Sequence, residues 1–187
     1  MSETPRDTAV LDKTRVYLVG HMEYLPGQGR HWRNKVKESL SKLGIVCFDP
    51  YEKPFLCDVP ENDDVIQDRR SRLALGDFDS VASEMKQIRS YDLNLCDRSD
   101  FIFACINPSV ASWGSAEEIV TANRMKKPIF LVVEGGKSKT PLWLMGTIPH
   151  KYIYDSVDEA LAVIEGIHNG SVAIDSSRWR LLEKSYR

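Results

Sequence analysis

Two adjacent glutamates, Glu117 and Glu118, open a helical pattern directly after a loop of small polar residues. A carboxylate in the first turn of a helix either answers the positive end of the helix dipole or is placed there to react. The surrounding stretch runs from Tyr91 to Glu134 and reads YDLNLCDRSD, the apolar run FIFACI, then NPSVASWGSAEEIVTANRMKKP and IFLVVE. An apolar strand that feeds a short loop and then a helix is how α/β proteins present polar groups at a sheet edge. Ser112, Gly114 and Ser115 add hydroxyls and unpaired backbone N–H groups at the helix start, a combination suited to an anionic or hydroxyl-rich ligand. Helical periodicity does not separate Glu117 from Glu118.

Two further edges carry candidates. Asp92, flanked by Tyr91 and Leu93, belongs to a helix with an apolar face, whereas Asp100 immediately precedes a strand and reads as a helix cap or stop. At the first strand, Tyr17 and the loop after Gly20 bring Arg30 and Arg33 towards a helix N-terminus, where N–H groups favour anions, unless the two arginines are simply solvated surface residues. The glycines of that loop do not spell a dinucleotide fingerprint. His21 is the one histidine of the four placed where a ligand would bind, and neither an HExxH motif nor a Cys/His cluster points to a metal.

The elements that must position these residues alternate regularly. RVYLVG (15–20), IVCFDP (45–50), FIFACI (101–106), PIFLVV (128–133) and KYIY (151–154) read as strands. Between them lie helical patterns over HWRNKVKESLSKLG, with Trp32, Val36, Leu40 and Leu43 on one face, over Ser80–Ser99, from about Ser115 to Lys126, and over SVDEALAVIEGI. Residues 51–77, rich in Asp, Pro and Asn, read as a long connection, and such loops serve as lids or are partly helical. GGKSKTPLW reads as a loop. Repeated β–α units with short apolar strands imply a parallel sheet covered on both faces. The expected fold is a doubly wound, Rossmann- or flavodoxin-like α/β domain over residues 15–168. A flexible lead-in (1–14) precedes it and a basic, partly amphipathic tail (169–187) follows.

Composition bounds the function. The 187 residues form a single domain with an ordinary soluble balance, 42% hydrophobic and 28% charged, and the net charge of -2 gives no reason to expect a nucleic-acid polymer as partner. No apolar run is long enough for a membrane span, and the polar N-terminus lacks a signal-peptide core. The four cysteines form no CxxC, so buried reduced thiols in a cytoplasmic protein are expected.

The motifs just quoted resemble those of the nucleoside 2-deoxyribosyltransferase family across about residues 15–155. Tyr17-Leu18-Val19-Gly20 is similar to that family's opening YLAG strand. Asp92-Leu93-Asn94-Leu95-Cys96-Asp97-Arg98-Ser99-Asp100 is similar to its D-L-x-x-(I/L)-x-x-(S/A)-D segment. Gly114-Ser115-Ala116-Glu117-Glu118, Ala122 and Lys127-Pro128 follow the G-(T/S)-x-x-E helix start and the entry to the next strand. In that register the resemblance makes Glu118 the nucleophile and Glu117 an exposed neighbour. Tyr17 becomes the residue that orients the nucleophile, and Asp92 the acid that recognises and protonates the nucleobase.

The chemistry implied is N-glycosyl transfer on 2′-deoxynucleosides, by nucleobase exchange or release, through a glycosyl–glutamate intermediate and without cofactor or metal. A glutamate at its reference pKa near ~4.3 is already ionised at neutral pH and needs only positioning. Partners implied are a nucleoside or nucleotide, a free nucleobase, and further copies of the chain in a homo-oligomer, with the tail around Trp179 either reaching a neighbouring site or forming a plain surface helix. One departure redirects the substrate. Deoxyribosyltransferases acting on free nucleosides carry an acid six positions before the nucleophile, where this chain has Ser112. Related nucleoside 5′-monophosphate N-glycosidases place a serine there for the phosphate, together with a glycine-and-arginine loop that Gly27-Gln28-Gly29-Arg30 resembles. A non-catalytic nucleotide-binding module on the same scaffold is the third reading.

Overall fold

The computed structural model describes residues 9–22, 28–53, 59–174 and 177–179. Gly27, Cys57, positions 1–8 of the lead-in and 180–187 of the tail lie outside the described residues. Five strands form one all-parallel sheet: β1 (Arg15–Gly20), β2 (Val46–Phe48), β3 (Phe101–Ile106), β4 (Ile129–Val133) and β5 (Ile153–Tyr154), in the order β2-β1-β3-β4-β5. The helices are α1 (Gln28–Ser41), α2 (Asp63–Ala74), α3 (Phe78–Arg98), α4 (Trp113–Arg124), α5 (Leu142–Thr147) and α6 (Val157–His168). Chain direction across the sheet reverses between β1 and β3, so the crevice outside their C-terminal ends is where this architecture places a ligand.

The uninterrupted apolar runs of β1, β3 and β4 have a simple cause. Each strand is buried on both faces, so alternate residues feed opposite cores. Val16, Leu18, Phe101 and Phe103 pack with α1 and α6 through Trp32, Val36, Leu40, Ile164 and Ile167. Tyr17, Val19, Ile102 and Ala104 pack with α3 and α4 through Leu95, Ile119 and Ala122. Tyr17 therefore points to the same side of the sheet as α4.

The chain ends and connections depart from the sequence reading. Leu11 is fully buried and the Val10 N–H donates to the His168 carbonyl, so the end of the expected lead-in is built into the domain. Trp179, expected to reach a neighbouring subunit, is instead fully buried against Phe101 and Phe130 of its own core. A large indole gains more from filling that gap than from water. Asp100 does not cap α3: it accepts from the backbone N–H and guanidinium of Arg15, tying the starts of β1 and β3 together. The 51–77 connection contains α2, whose N-cap Asn62 accepts from the Val65 N–H and whose first turn carries Asp63 and Asp64. The GGKSKTPLW segment read as a loop leads into the short helix α5.

Candidate active site

Along α4 the buried positions are Ser115, Glu118, Ile119 and Ala122, a spacing of three, one and three that marks one helix face. Glu118 lies on that face and Glu117 does not. Glu117 instead reaches along the cleft lining to α3, where the Arg89 guanidinium grips both of its oxygens, and that pairing holds its carboxyl below the usual range. Glu118, 8% exposed, accepts a hydrogen bond of 2.6 Å from the Tyr17 hydroxyl on β1. One glutamate thus braces two helices, while the other faces the crevice between β1 and β3.

Asp92 comes to the same place from α3. Its Oδ1 is shut off from water with no hydrogen-bond partner among the described residues, and its carboxyl is pushed up to about 7 by burial and by the charge of Glu61, against the pull of Lys53 and Arg33. Burial and the facing Asp92 push Glu118 to about 8, offset by the Tyr17 hydrogen bond and Arg33. The expectation of an ordinary, fully ionised glutamate is therefore corrected. Two carboxyls that feel one another in a dry site titrate as a pair, and through neutral pH this pair retains a proton. Tyr17 is raised well above its usual value, first by burial and then by Glu118 and Asp92, so it stays a hydrogen-bond donor.

Above these groups opens a cleft of about 440 Å³, of the size that takes a small molecule. Gly20, Ser112, Gly114 and Ser115 line it with Asp92 and Glu118. Gly20 has to be glycine: a Cβ there would lie 2.7 Å from the Cys105 carbonyl and 2.8 Å from the Trp32 ring. Gly114 has no such neighbour and leaves the helix start open to the cleft. Ser112 is the N-cap of α4, yet its hydroxyl donates to the Ser115 hydroxyl at 2.7 Å and makes no cap bond to the helix. Two hydroxyls and the first N–H groups of the helix accordingly converge on one spot.

Three predicted residues are not part of the cleft lining: Tyr17, which lies beneath it and reaches it through Glu118, and Arg30 and His21. The Arg30 guanidinium lies on the Tyr51 ring at 4.0 Å. His21 is buried, with neither ring nitrogen hydrogen-bonded among the described residues, and burial lowers its pKa. Arg33, read with Arg30 as anion-facing, is fully buried behind Gly20.

The opposite wall comes from residues the sequence reading left unassigned. Glu61, Ile66, Arg69 and Leu73 approach from the α2 side, and Val81, Met85 and Ile88 from α3. Arg69 and Arg72 of α2 both bond to Glu84 of α3, so this wall is anchored rather than draped. Its only sequence signal is a scatter of apolar residues in a polar helix, since they face the cleft and not the core. Glu61 is paired with Lys53 at 2.5 Å, and Lys53 lies over the Tyr91 ring. Among the described residues no group of three His, Cys, Asp or Glu could hold a metal ion, and no helix is long and apolar enough to cross a membrane.

Residues 16–161 match the family model for nucleoside 2-deoxyribosyltransferase. Among solved structures, the 2-deoxyribosyltransferase of the psychrotolerant bacterium Bacillus psychrosaccharolyticus superposes with a TM-score of 0.55 at 18% identity, over 79% of this chain and 90% of that one. That protein is described as a biocatalyst for the industrial synthesis of antiviral and antitumoral nucleosides, and at this identity the likeness concerns the fold. No curated protein sequence matches the chain.

Proposed function

Because the chain belongs to the nucleoside 2-deoxyribosyltransferase family, whose members act on nucleosides and bases, we propose that it transfers the deoxyribosyl group of a 2′-deoxynucleoside through a covalent intermediate on Glu118. The observation that carries this reading is the 2.6 Å bond from Tyr17 to Glu118 in a cleft shared with Asp92. Departure of a nucleobase needs a proton on the base and negative charge beneath C1′. The Asp92–Glu118 pair holds one proton for the two tasks. Asp92 gives it to a ring nitrogen as the C1′–N bond breaks and its electrons leave with the base, while the Glu118 carboxylate forms a bond to C1′. A second nucleobase, or water, then attacks C1′ from the vacated face, Glu118 leaves, and Asp92 recovers the proton. The configuration at C1′ is retained. Tyr17 fixes the attacking oxygen and stays protonated throughout.

A second reading, hydrolysis of a nucleoside 5′-monophosphate, is favoured by a specific feature. The Ser112–Ser115 hydroxyl pair stands at the open N-terminus of α4, where an acid would repel a phosphate. Incubation with deoxynucleosides and deoxynucleoside monophosphates, each with and without an acceptor base, separates the readings: base exchange marks transfer, and free sugar or sugar phosphate marks hydrolysis. Mass spectrometry of the quenched reaction should find the sugar on the peptide containing Glu118. Full activity in Glu118→Ala refutes the mechanism, and equal effects of Ser112→Asp on phosphorylated and unphosphorylated substrates refute the phosphate reading. Tight binding without turnover would identify a nucleotide-binding module. Exposed Trp113, Leu142 and Trp143 support assembly into a homo-oligomer, to be read by sedimentation of wild type against Trp143→Asp.

A further inference from the structure

Arg33 is a fully buried cation that is not itself part of the cleft lining. Its Nη1 donates to the Gly29 carbonyl and its Nη2 to the Gly20 carbonyl, both at 2.9 Å, so the guanidinium bridges the end of β1 and the start of α1. The rings of Trp32 and Tyr51 flank it, at 4.5 and 5.3 Å. Room was cleared for it: a Cβ on Gly29 would lie 2.5 Å from Nη1.

Bridging two carbonyls needs only two neutral donors, and an amide side chain would meet that demand without the desolvation penalty of a charge. The obvious counter-ion does not account for the charge either. Asp49 is 3.8 Å from Nε, which makes no hydrogen bond among the described residues, and Asp49 is engaged by Lys37 at 2.8 Å. The remaining anions near Arg33 are those of the cleft. Nη2 sits directly behind Gly20, which lines the cleft, on the strand that carries Tyr17. The field of Arg33 favours the charged forms of Tyr17, Asp92 and Glu118 alike.

We propose that Arg33 is a positioning residue of this site, a buried cation behind the cleft floor whose charge, rather than its hydrogen bonds, favours the carboxylate form of Glu118. The proposal rests on Glu118 being the nucleophile. The charged and titratable groups around it are Tyr17 on β1, Glu118 on α4, Asp92 on α3, Asp49 and Tyr51 after β2, Lys37 on α1, and His21 and Cys105 beyond Gly20; Glu61 and Lys53 act from the Asp92 side.

The test reads the free protein and needs no substrate. The side-chain carboxyl of Glu118 is titrated by ¹³C NMR, its resonance assigned by its loss in Glu118→Gln. Arg33→Met should move the midpoint up by about one pH unit, the low end of what a nearby opposite charge does to a carboxyl. Arg33→Lys, which keeps the charge but not the fork, should leave it near wild type. Asp49→Asn, which frees the Arg33 field from its counter-charge, should move it down. An unmoved midpoint in Arg33→Met, or the same shift in Arg33→Lys, overturns the proposal. If neither of these Arg33 variants folds, Arg33→Gln, whose amide still donates to the carbonyls but carries no charge, decides, and an unmoved midpoint there overturns the proposal. In active enzyme the acid limb of kcat/KM should follow the same order. Should Glu118 not be the nucleophile, the midpoint still moves while Glu118→Gln stays active, which distinguishes failure of the function from failure of this inference.

Discussion

Glu118→Gln should abolish the chemistry and, above neutral pH, stabilise the fold. In an unfolded chain the carboxyl titrates near its ordinary value of 4.5, whereas in the folded protein it is pushed to about 8. Between those values the folded state binds the extra proton, so its stability is greatest below 4.5 and falls as pH rises through 8. At about 1.4 kcal/mol per pH unit the full gap corresponds to about 5 kcal/mol. Glutamine does not titrate, and its carbonyl still accepts from the Tyr17 hydroxyl. Asp92 relaxes once the facing charge is gone, which takes back part of the gap, so the expected gain is about 2–4 kcal/mol above the folded pKa and near zero at the unfolded one. Urea unfolding of both proteins at about pH 5 and about pH 8 measures the difference, because every other titrating group is common to the two. A difference that stays flat with pH, or a Gln variant that is the less stable one on the alkaline side, refutes the reasoning.

Three further outcomes follow from single contacts. Tyr17→Phe removes a hydrogen bond to a charged group, worth about 1.5–3 kcal/mol, so kcat/KM should fall about 10- to 100-fold. Because that bond lowers the pKa of Glu118, the acid limb of the pH profile should also move up, and an unmoved limb counts against it. Asp92→Asn should slow base release by about 10²- to 10⁴-fold and erase the alkaline limb set by a carboxyl at about 7. A substrate whose base already carries a positive charge should lose much less. Lys127→Met should lower the urea midpoint by the equivalent of about 2 kcal/mol with an unchanged slope, since its ammonium donates to the Cys96, Asp97 and Ser99 carbonyls at the end of α3.

What could be read from sequence followed burial. The β1, β3 and β4 runs were legible because strands covered on both faces leave continuous apolar sequence, and their βα spacing implied the parallel sheet. The polar helix α2 escaped because Ile66 and Leu73 face the cleft, which leaves no stripe of core residues to betray the period. Six-residue α5 is too short to show one, and it exposes Leu142 and Trp143. Within the site, adjacency hid the difference between Glu117 and Glu118. Neighbouring positions point to different helix faces, and only the packing of α4 against the sheet says which face is inside. Arg30 and Arg33 were indistinguishable for the same reason, although one lies on Tyr51 and the other is sealed behind Gly20. The charge state of Glu118 depends on burial and on Asp92, neither of which a residue type encodes.

The hydrogen bond between Tyr17 and Glu118 joins positions 101 residues apart. Both strands of the central pair, and α3 with Asp92, are made before α4 exists in a chain synthesised from its N-terminus. The three groups meet only when α4 docks across β1 and β3, so competence for bond cleavage arrives with the closing of the domain and not by degrees. Under the proposed mechanism, a nascent or partly unfolded chain holds the acid and the tyrosine yet has nothing with which to attack a sugar. Recovery of activity during refolding should therefore coincide with burial of α4, making the chemistry itself a report on completed assembly of the fold.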